Sequence, residues 1–136
     1  MRHLGKVVGI SMFALAGIAA AQDTDVGEAL YTQYCATCHG TDGGGEGPLT
    51  EIMLDKPSDL KLLAENNVQA PGEFPMLHVI HVIDGRTGIR AHGGPMPTYG
   101  DIFTAGAEAS RMEYGAVLEA RGRILSLALY LESIQQ

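Results

Sequence analysis

The chain contains no tryptophan, aromatic residues make up only 6% of its 136 residues, and it has just two cysteines. Two cysteines exclude a scaffold held by several disulfides, and few aromatics leave a small domain short of large apolar side chains. Basic residues are also scarce, 9 against 16 acidic ones, for a formal net charge of −7. Because nucleic-acid-binding proteins usually carry a basic surface, we expect no nucleic-acid partner.

Long uncharged stretches are absent except for one near the N-terminus. Arg2 and Lys6 precede fifteen uncharged residues, 7–21, which end in three alanines. This pattern predicts a secretory signal peptide over residues 1–21, because the run is short for a membrane span of about 20 apolar residues. An uncleaved membrane anchor is the alternative. We therefore expect export to the periplasm, with membrane association only if the segment is retained.

The rest of the chain, residues 22–136, is predicted to form one all-α domain. Apolar residues recur at helical spacing in three segments, which are residues 25–34, 74–84 and 117–134. Between residues 52 and 66 we expect one or two helical turns interrupted at Pro57, with Ser58 capping the second turn. Glycine and proline cluster at residues 41–48 and 86–100, which predicts two loops.

Both cysteines lie in one pentapeptide, Cys35-Ala36-Thr37-Cys38-His39, which is C-x-x-C-H, the attachment signature of c-type haem. Two cysteines at this spacing can each form a thioether to a haem vinyl group, and His39 then lies where it can bind the iron. A zinc site would need a histidine pair at wider spacing than His78 and His81 offer. A disulfide closing so short a loop would add little stability. We therefore predict one covalent haem c per chain.

The sixth iron ligand is predicted from the rigidity of a loop. Met96 lies in Gly-Gly-Pro-Met-Pro, residues 93–97, where two prolines stiffen an extended segment and suit it to hold a thioether against iron. His92 is the rival ligand, whereas His78 and His81 are expected to be partly exposed residues of a helix. Three other methionines are expected to fill the core, namely Met53, Met76 and Met112.

The orientation of His39 requires an acceptor for its second ring N–H. Histidines that bind a metal normally donate that N–H to an acceptor, which fixes the tautomer and the ring orientation. Pro48 closes the glycine loop that follows the attachment motif, so we predict that its carbonyl oxygen accepts from His39.

These motifs resemble those of the class I c-type cytochromes, small monohaem proteins with His/Met ligation. Residues 35–48, C-A-T-C-H-G-x-x-G-x-G-x-G-P, are similar to the family's haem loop, and residues 94–100, G-P-M-P-x-Y-G, are similar to its methionine-ligand loop. Gly27 and Tyr31 resemble a pair on the family's N-terminal helix, and Leu127 and Tyr130 resemble their counterparts on its C-terminal helix.

The resemblance implies a small cytochrome c fold, in which three to five helices wrap round one covalent haem and the N- and C-terminal helices cross closely. It also implies Cys35 and Cys38 as thioether donors and His39 and Met96 as axial ligands of the iron. Arg90 or Tyr99 is expected to meet a haem propionate.

The function implied is electron transfer, not catalysis. We expect a monomeric carrier of a respiratory chain that exchanges single electrons with transient redox proteins or with a membrane oxidoreductase complex. Two alternatives stay open. One is a permanent electron-transfer subunit of a larger oxidoreductase, and the other is a haem enzyme or gas-binding protein with a labile Met96.

Overall fold

The computed structural model describes residues 16–88, 94–108 and 113–136, and all regular structure in these ranges is helical. This confirms the all-α prediction. The α-helices are α1 (Ala16–Tyr34), α2 (Ala36–His39), α3 (Met76–Asp84), α4 (Tyr99–Glu108) and α5 (Glu113–Ser133). Two short 3-10 helices, η1 (Pro48–Ile52) and η2 (Leu60–Leu62), lie between α2 and α3.

Helix α1 is longer than the segment predicted at residues 25–34, because it begins at Ala16 and therefore includes residues of the predicted signal peptide. The signal peptide itself stays a prediction. Within the described part of the chain, no helix combines the length and the apolar character that crossing a membrane requires.

Helices α1 and α5 pack against each other at a glycine, as the resemblance implies. A Cβ on Gly27 would overlap the carbonyl oxygen of Ser126 and would lie 2.7 Å from Cβ of Tyr130. The rings of Tyr31 and Tyr130 pack beside this contact with their centroids 5.3 Å apart. The missing side chain at residue 27 thus lets two backbones approach closely, and the aromatic pair fills the space next to them.

Helix α3 follows its prediction, since it ends at Asp84 and Gly85 takes the left-handed conformation that commonly stops a helix. Helix α4 is not among the predicted helices, and its first residues, Tyr99 and Gly100, were predicted as loop. Its Phe103 is fully buried, and its ring lies 5.2 Å from that of Tyr34 on α1. Burial in the tertiary structure therefore stabilises a helix in this segment, although its glycines weaken the helical pattern of the sequence.

The segment between α2 and α3 contains the predicted helical turns, but they are 3-10 turns at shifted positions. The cap before η2 is Asp59, whose carboxylate accepts from the backbone N–H of Lys61 at 2.8 Å, and not Ser58 as predicted. The backbone N–H of Leu60 donates to the carbonyl of Gly43 at 2.8 Å, which joins this segment to the glycine loop.

Candidate haem site

A cavity of about 210 Å³ opens beside the attachment motif. Three separate parts of the chain form its walls: the end of α1 with α2, the segment after η1, and the loop before α4. The lining residues are Tyr34, Cys35, Cys38, His39, Met53, Asp55, Lys56, Pro57, Ser58, Pro95, Met96, Pro97 and Tyr99. The cavity thus brings the attachment motif and the Met96 loop together, although they are far apart in the chain.

The attachment motif is held in a helical turn. The backbone N–H of Cys35 donates to Tyr31 at 2.8 Å, and that of His39 donates to the carbonyl of Cys35 at 2.9 Å. Cys35 and Cys38 are both partly buried, and no disulfide joins them. Burial, with a smaller contribution from Cys38, raises the pKa of Cys35 to about 12, so this thiol is neutral. Two unpaired thiols facing one cavity with an imidazole and a thioether fit a covalently attached haem.

The ring of His39 is oriented by Ser58 and not by Pro48, so the prediction for Pro48 is wrong. Its Nδ1 lies 3.3 Å from the carbonyl oxygen of Ser58, and the tautomer with N–H at Nδ1 donates to it. Pro48 instead begins η1. Burial lowers the pKa of His39, and the bond to Ser58 opposes this shift, so the imidazole favours the neutral form that binds metals.

The position of Ser58 follows from the fold of the glycine loop. Gly45 has φ of +83°, a conformation that side chains disfavour, and its backbone N–H donates to the carbonyl of His39 at 2.8 Å. A Cβ on Gly45 would lie 2.6 Å from the carbonyl oxygen of Pro57. The loop therefore packs directly against residues 57 and 58, and this contact brings the Ser58 carbonyl to the imidazole.

Met96 lies on the wall of the cavity beside the attachment motif. Its side chain is partly buried, packs against the hydrophobic core and lines the cavity that His39 also lines. The rival ligand His92 lies outside the described residues, as do Arg90 and Met112. The assignment of Met96 as the axial ligand remains a proposal.

Met53 is a cavity residue that the sequence interpretation placed in the core. It directly follows η1 and lines the cavity together with Met96, whereas Met76 packs against the hydrophobic core as predicted. A methionine next to a glycine- and proline-rich loop is the signal that distinguishes Met53. No signal marks Ser58, because any residue at that position would supply the same carbonyl oxygen.

Tyr99 lines the cavity, but its hydroxyl is engaged elsewhere. It donates to the backbone carbonyl of Tyr34 at 2.6 Å, which ties the start of α4 to the end of α1. A phenol has one proton to donate, so this bond leaves none for a haem propionate in this arrangement. The expected contact of Tyr99 or Arg90 with a propionate therefore stays untested.

The histidines of α3 take no part in the cavity. His78 and His81 are both exposed, as predicted. Among the described residues, no three histidine, cysteine, aspartate or glutamate side chains converge on a possible metal ion. Within those ranges, His39 is therefore the histidine that faces the attachment cysteines.

Comparison with known proteins identifies the family. Residues 22–111 match the family model described as cytochrome c oxidase, cbb3-type, subunit III. No curated protein and no solved structure matches the chain significantly. The family match covers more than half of the chain and contains both the attachment motif and Met96. The chain therefore belongs to this family of c-type cytochromes of the class I kind, and it is an electron-transfer protein with covalently bound haem c.

Proposed function

We propose that this protein is an exported electron carrier that exchanges single electrons with periplasmic or membrane-bound redox partners. The observation that carries the proposal is the convergence of Cys35, Cys38, His39 and Met96 on one cavity. Bound haem c supplies the iron that takes up and releases one electron. The two cysteines hold it covalently, and His39 and Met96 are its proposed axial ligands.

The residues round the cavity suit a site that changes little between oxidation states. His39 is held through Ser58, and Met96 is held between two prolines whose φ angles are restricted. Ligands that move little keep the reorganisation energy of electron transfer small. A thioether ligand also raises the reduction potential relative to a second imidazole.

Exposed apolar side chains next to the cavity support a docking face for a transient partner. Ile52 and Leu54 flank Met53 in the chain and are 80% and 103% exposed. Asp55 and Lys56 follow them on the cavity wall. A small, partly apolar contact of this kind suits short-lived redox encounters. The net charge of −7 favours partners with basic surfaces.

A second candidate is a permanent electron-transfer subunit of a larger oxidoreductase. The family description, subunit III of a cbb3-type cytochrome c oxidase, favours it. Retention of residues 1–21 as an anchor would place such a subunit at the membrane. Purification of the full-length protein from its native membranes under mild conditions distinguishes the two. Stable partner chains favour the subunit, and recovery as a monomer favours the carrier.

The visible spectrum of the reduced holoprotein, before and after addition of carbon monoxide, tests the proposal. An unchanged spectrum is expected, because two protein ligands leave no open position on the iron. A shifted spectrum would contradict the carrier and would favour a gas-binding or catalytic haem protein. A protein without a haem spectrum would contradict both.

A further inference from the structure

An ion pair at the end of α3 lies against the start of α4. The Arg86 guanidinium donates to both carboxylate oxygens of Asp84, from Nε at 2.8 Å and from Nη2 at 2.6 Å. This two-pronged geometry fixes the plane of the guanidinium as well as its position. Both side chains are partly buried, with 32% of Arg86 and 21% of Asp84 exposed.

The pair touches the segment that follows Met96. A Cβ on Gly100 would overlap Nε of Arg86 and would lie 2.8 Å from Oδ1 of Asp84, so the pair rests directly on the backbone there. Beside it, a Cβ on Gly85 would lie 3.3 Å from Cα of Thr98. Residues 98 and 100, just after the predicted ligand, are thus packed against the end of α3.

A hydroxyl group extends the contact into α4. Arg86 Nη1 lies 3.5 Å from Oγ1 of Thr104, and that hydroxyl donates to the carbonyl of Gly100 at 2.7 Å. The guanidinium therefore contacts the first turn of α4 both at its backbone and through Thr104. In addition, the hydrogen bonds from Arg86 hold the pKa of the Asp84 carboxyl below its usual range, so the pair stays charged at neutral pH.

We propose that Arg86 is a positioning residue for Met96, which it holds at the haem by fixing the junction between the Met96 loop and α4 to the end of α3. The inference rests on the proposed function, in which Met96 is the axial ligand. If this junction loosens, residues 97–100 gain freedom, and the thioether leaves the iron more often. By keeping this junction fixed, Arg86 limits the access of other ligands to the iron without touching it.

The test compares Arg86→Lys with Arg123→Lys in the oxidised holoprotein. Lysine keeps the charge but loses the planar, two-pronged contact. Arg123 is the matched control, because it is also 32% exposed and pairs with Glu119 at 2.5 Å on α5. Its guanidinium lies over the ring of Phe103 on α4, 5.6 Å from the centroid, so it also controls for an arginine contact with α4 beyond the junction. The measured quantity is the apparent affinity for imidazole, which binds when Met96 dissociates. We expect Arg86→Lys to raise this affinity about three- to tenfold, and Arg123→Lys to leave it within about twofold.

A second pair of variants keeps the arginine and changes its partner. Thr104→Val removes the hydroxyl with little change of shape, and Thr104→Ser keeps it. Increased imidazole affinity in Thr104→Val, with wild-type affinity in Thr104→Ser, supports the proposal. Equal increases in both variants would contradict it, because serine keeps the hydroxyl. An increase in Thr104→Ser alone would also contradict it, because the effect would then follow the methyl group, which valine keeps and serine lacks.

The possible failures are distinguishable. If the wild-type holoprotein shows no methionine-to-iron charge-transfer band and binds imidazole as an open site, Met96 is not the ligand and the proposed function fails too. If the wild-type band is present but Arg86→Lys leaves imidazole affinity unchanged, only the role of Arg86 fails. Equal increases in Arg86→Lys and Arg123→Lys also overturn that role, because they would reflect general loss of stability.

Discussion

Gly27 on α1 lies against the carbonyl oxygen of Ser126 on α5, with no room for a side chain between the two helices. Tyr31 and Tyr130 pack next to this contact, and Tyr31 is almost fully buried. Because Cys35 directly follows α1, the position of this crossing also sets the position of the attachment motif. A change at Gly27 is therefore transmitted to the haem site through the backbone of α1.

Replacement of Gly27 by alanine is expected to destabilise the holoprotein by about 1–3 kcal/mol, because the new methyl group overlaps a backbone carbonyl that cannot rotate away. Thermal unfolding of the holoprotein measures the effect. Gly122→Ala on α5 is the control, since nothing lies within 4 Å of its Cβ position and alanine favours the helix. Equal unfolding temperatures for Gly27→Ala and the wild type would contradict the close contact.

The hydroxyl of Tyr31 donates to the carbonyl of Gly40, immediately after His39, at 2.6 Å in a buried setting. Tyr31→Phe leaves that carbonyl without its partner, so we expect a loss of about 1–2 kcal/mol in the free energy of unfolding. Denaturant titration of the holoprotein measures it. Tyr114→Phe, at a side chain that is 77% exposed, should have almost no effect. Similar losses in the two variants would argue against the role of the buried bond.

The two methionines of the cavity should respond differently to replacement by leucine. Met96→Leu is expected to let the reduced holoprotein bind one carbon monoxide per haem, because leucine cannot ligate iron. Met53→Leu should leave the protein insensitive to carbon monoxide, since it changes a wall of the cavity and keeps its apolar character. Optical titration of both reduced variants with carbon monoxide measures the difference. Binding by Met53→Leu but not by Met96→Leu would make Met53 the ligand.

The apolar edge of the cavity is expected to contribute to partner docking. Leu54→Ser should slow, about three- to tenfold, the oxidation of the reduced protein by membranes from the cells that produce it, because the partner loses an apolar contact with a leucine that is exposed in the unbound protein. Val68→Ser is the control, since Val68 is 93% exposed but lies at a different cavity. Equal rates for both variants would place the docking face elsewhere.

Added salt should slow the oxidation of the reduced protein by membranes if the negative charge of the chain guides docking. The rate of oxidation by the membranes is expected to fall as ionic strength rises, because basic partner surfaces are screened from this acidic protein. A rate that is independent of salt would contradict electrostatic docking. The salt dependence should be the same for Leu54→Ser, since that substitution changes no charge.

Acid should remove the stabilisation that the Asp84–Arg86 pair provides. Arg86 holds the pKa of Asp84 below the ordinary value of about 3.9, so the folded state favours the ionised carboxylate. The contribution is complete above that ordinary value and is lost as pH falls through the folded-state pKa. The free energies of unfolding of wild type and Asp84→Asn should therefore differ by about 0.5–1 kcal/mol at pH 6 and converge near pH 2. A difference that does not change with pH would contradict a charge effect.

The amino-acid sequence predicted best those features whose determining residues are neighbours in the chain. The C-x-x-C-H motif places two thiols and an imidazole on one turn whatever surrounds it, and that local geometry is present in α2. Helix α3 and its terminal Gly85 also follow from local pattern and from the conformational freedom of glycine. In contrast, α4 carries glycines at residues 100 and 106, and it is stabilised by burial of Phe103 against α1.

Some features of the candidate site also depend on adjacent residues, and others depend on contacts between remote segments. The predictions of covalent haem c and of His39 as an iron ligand rest on five adjacent residues. The acceptor for His39 does not, because it is a backbone carbonyl, and only the packing of Gly45 against Pro57 selects Ser58 over Pro48. The presence of Met53 on the cavity wall and the contact of Arg86 with the start of α4 likewise join segments that are distant in the chain. Local chemistry thus defines the cofactor, whereas close packing between remote segments decides which groups contact His39 and the residues that follow Met96.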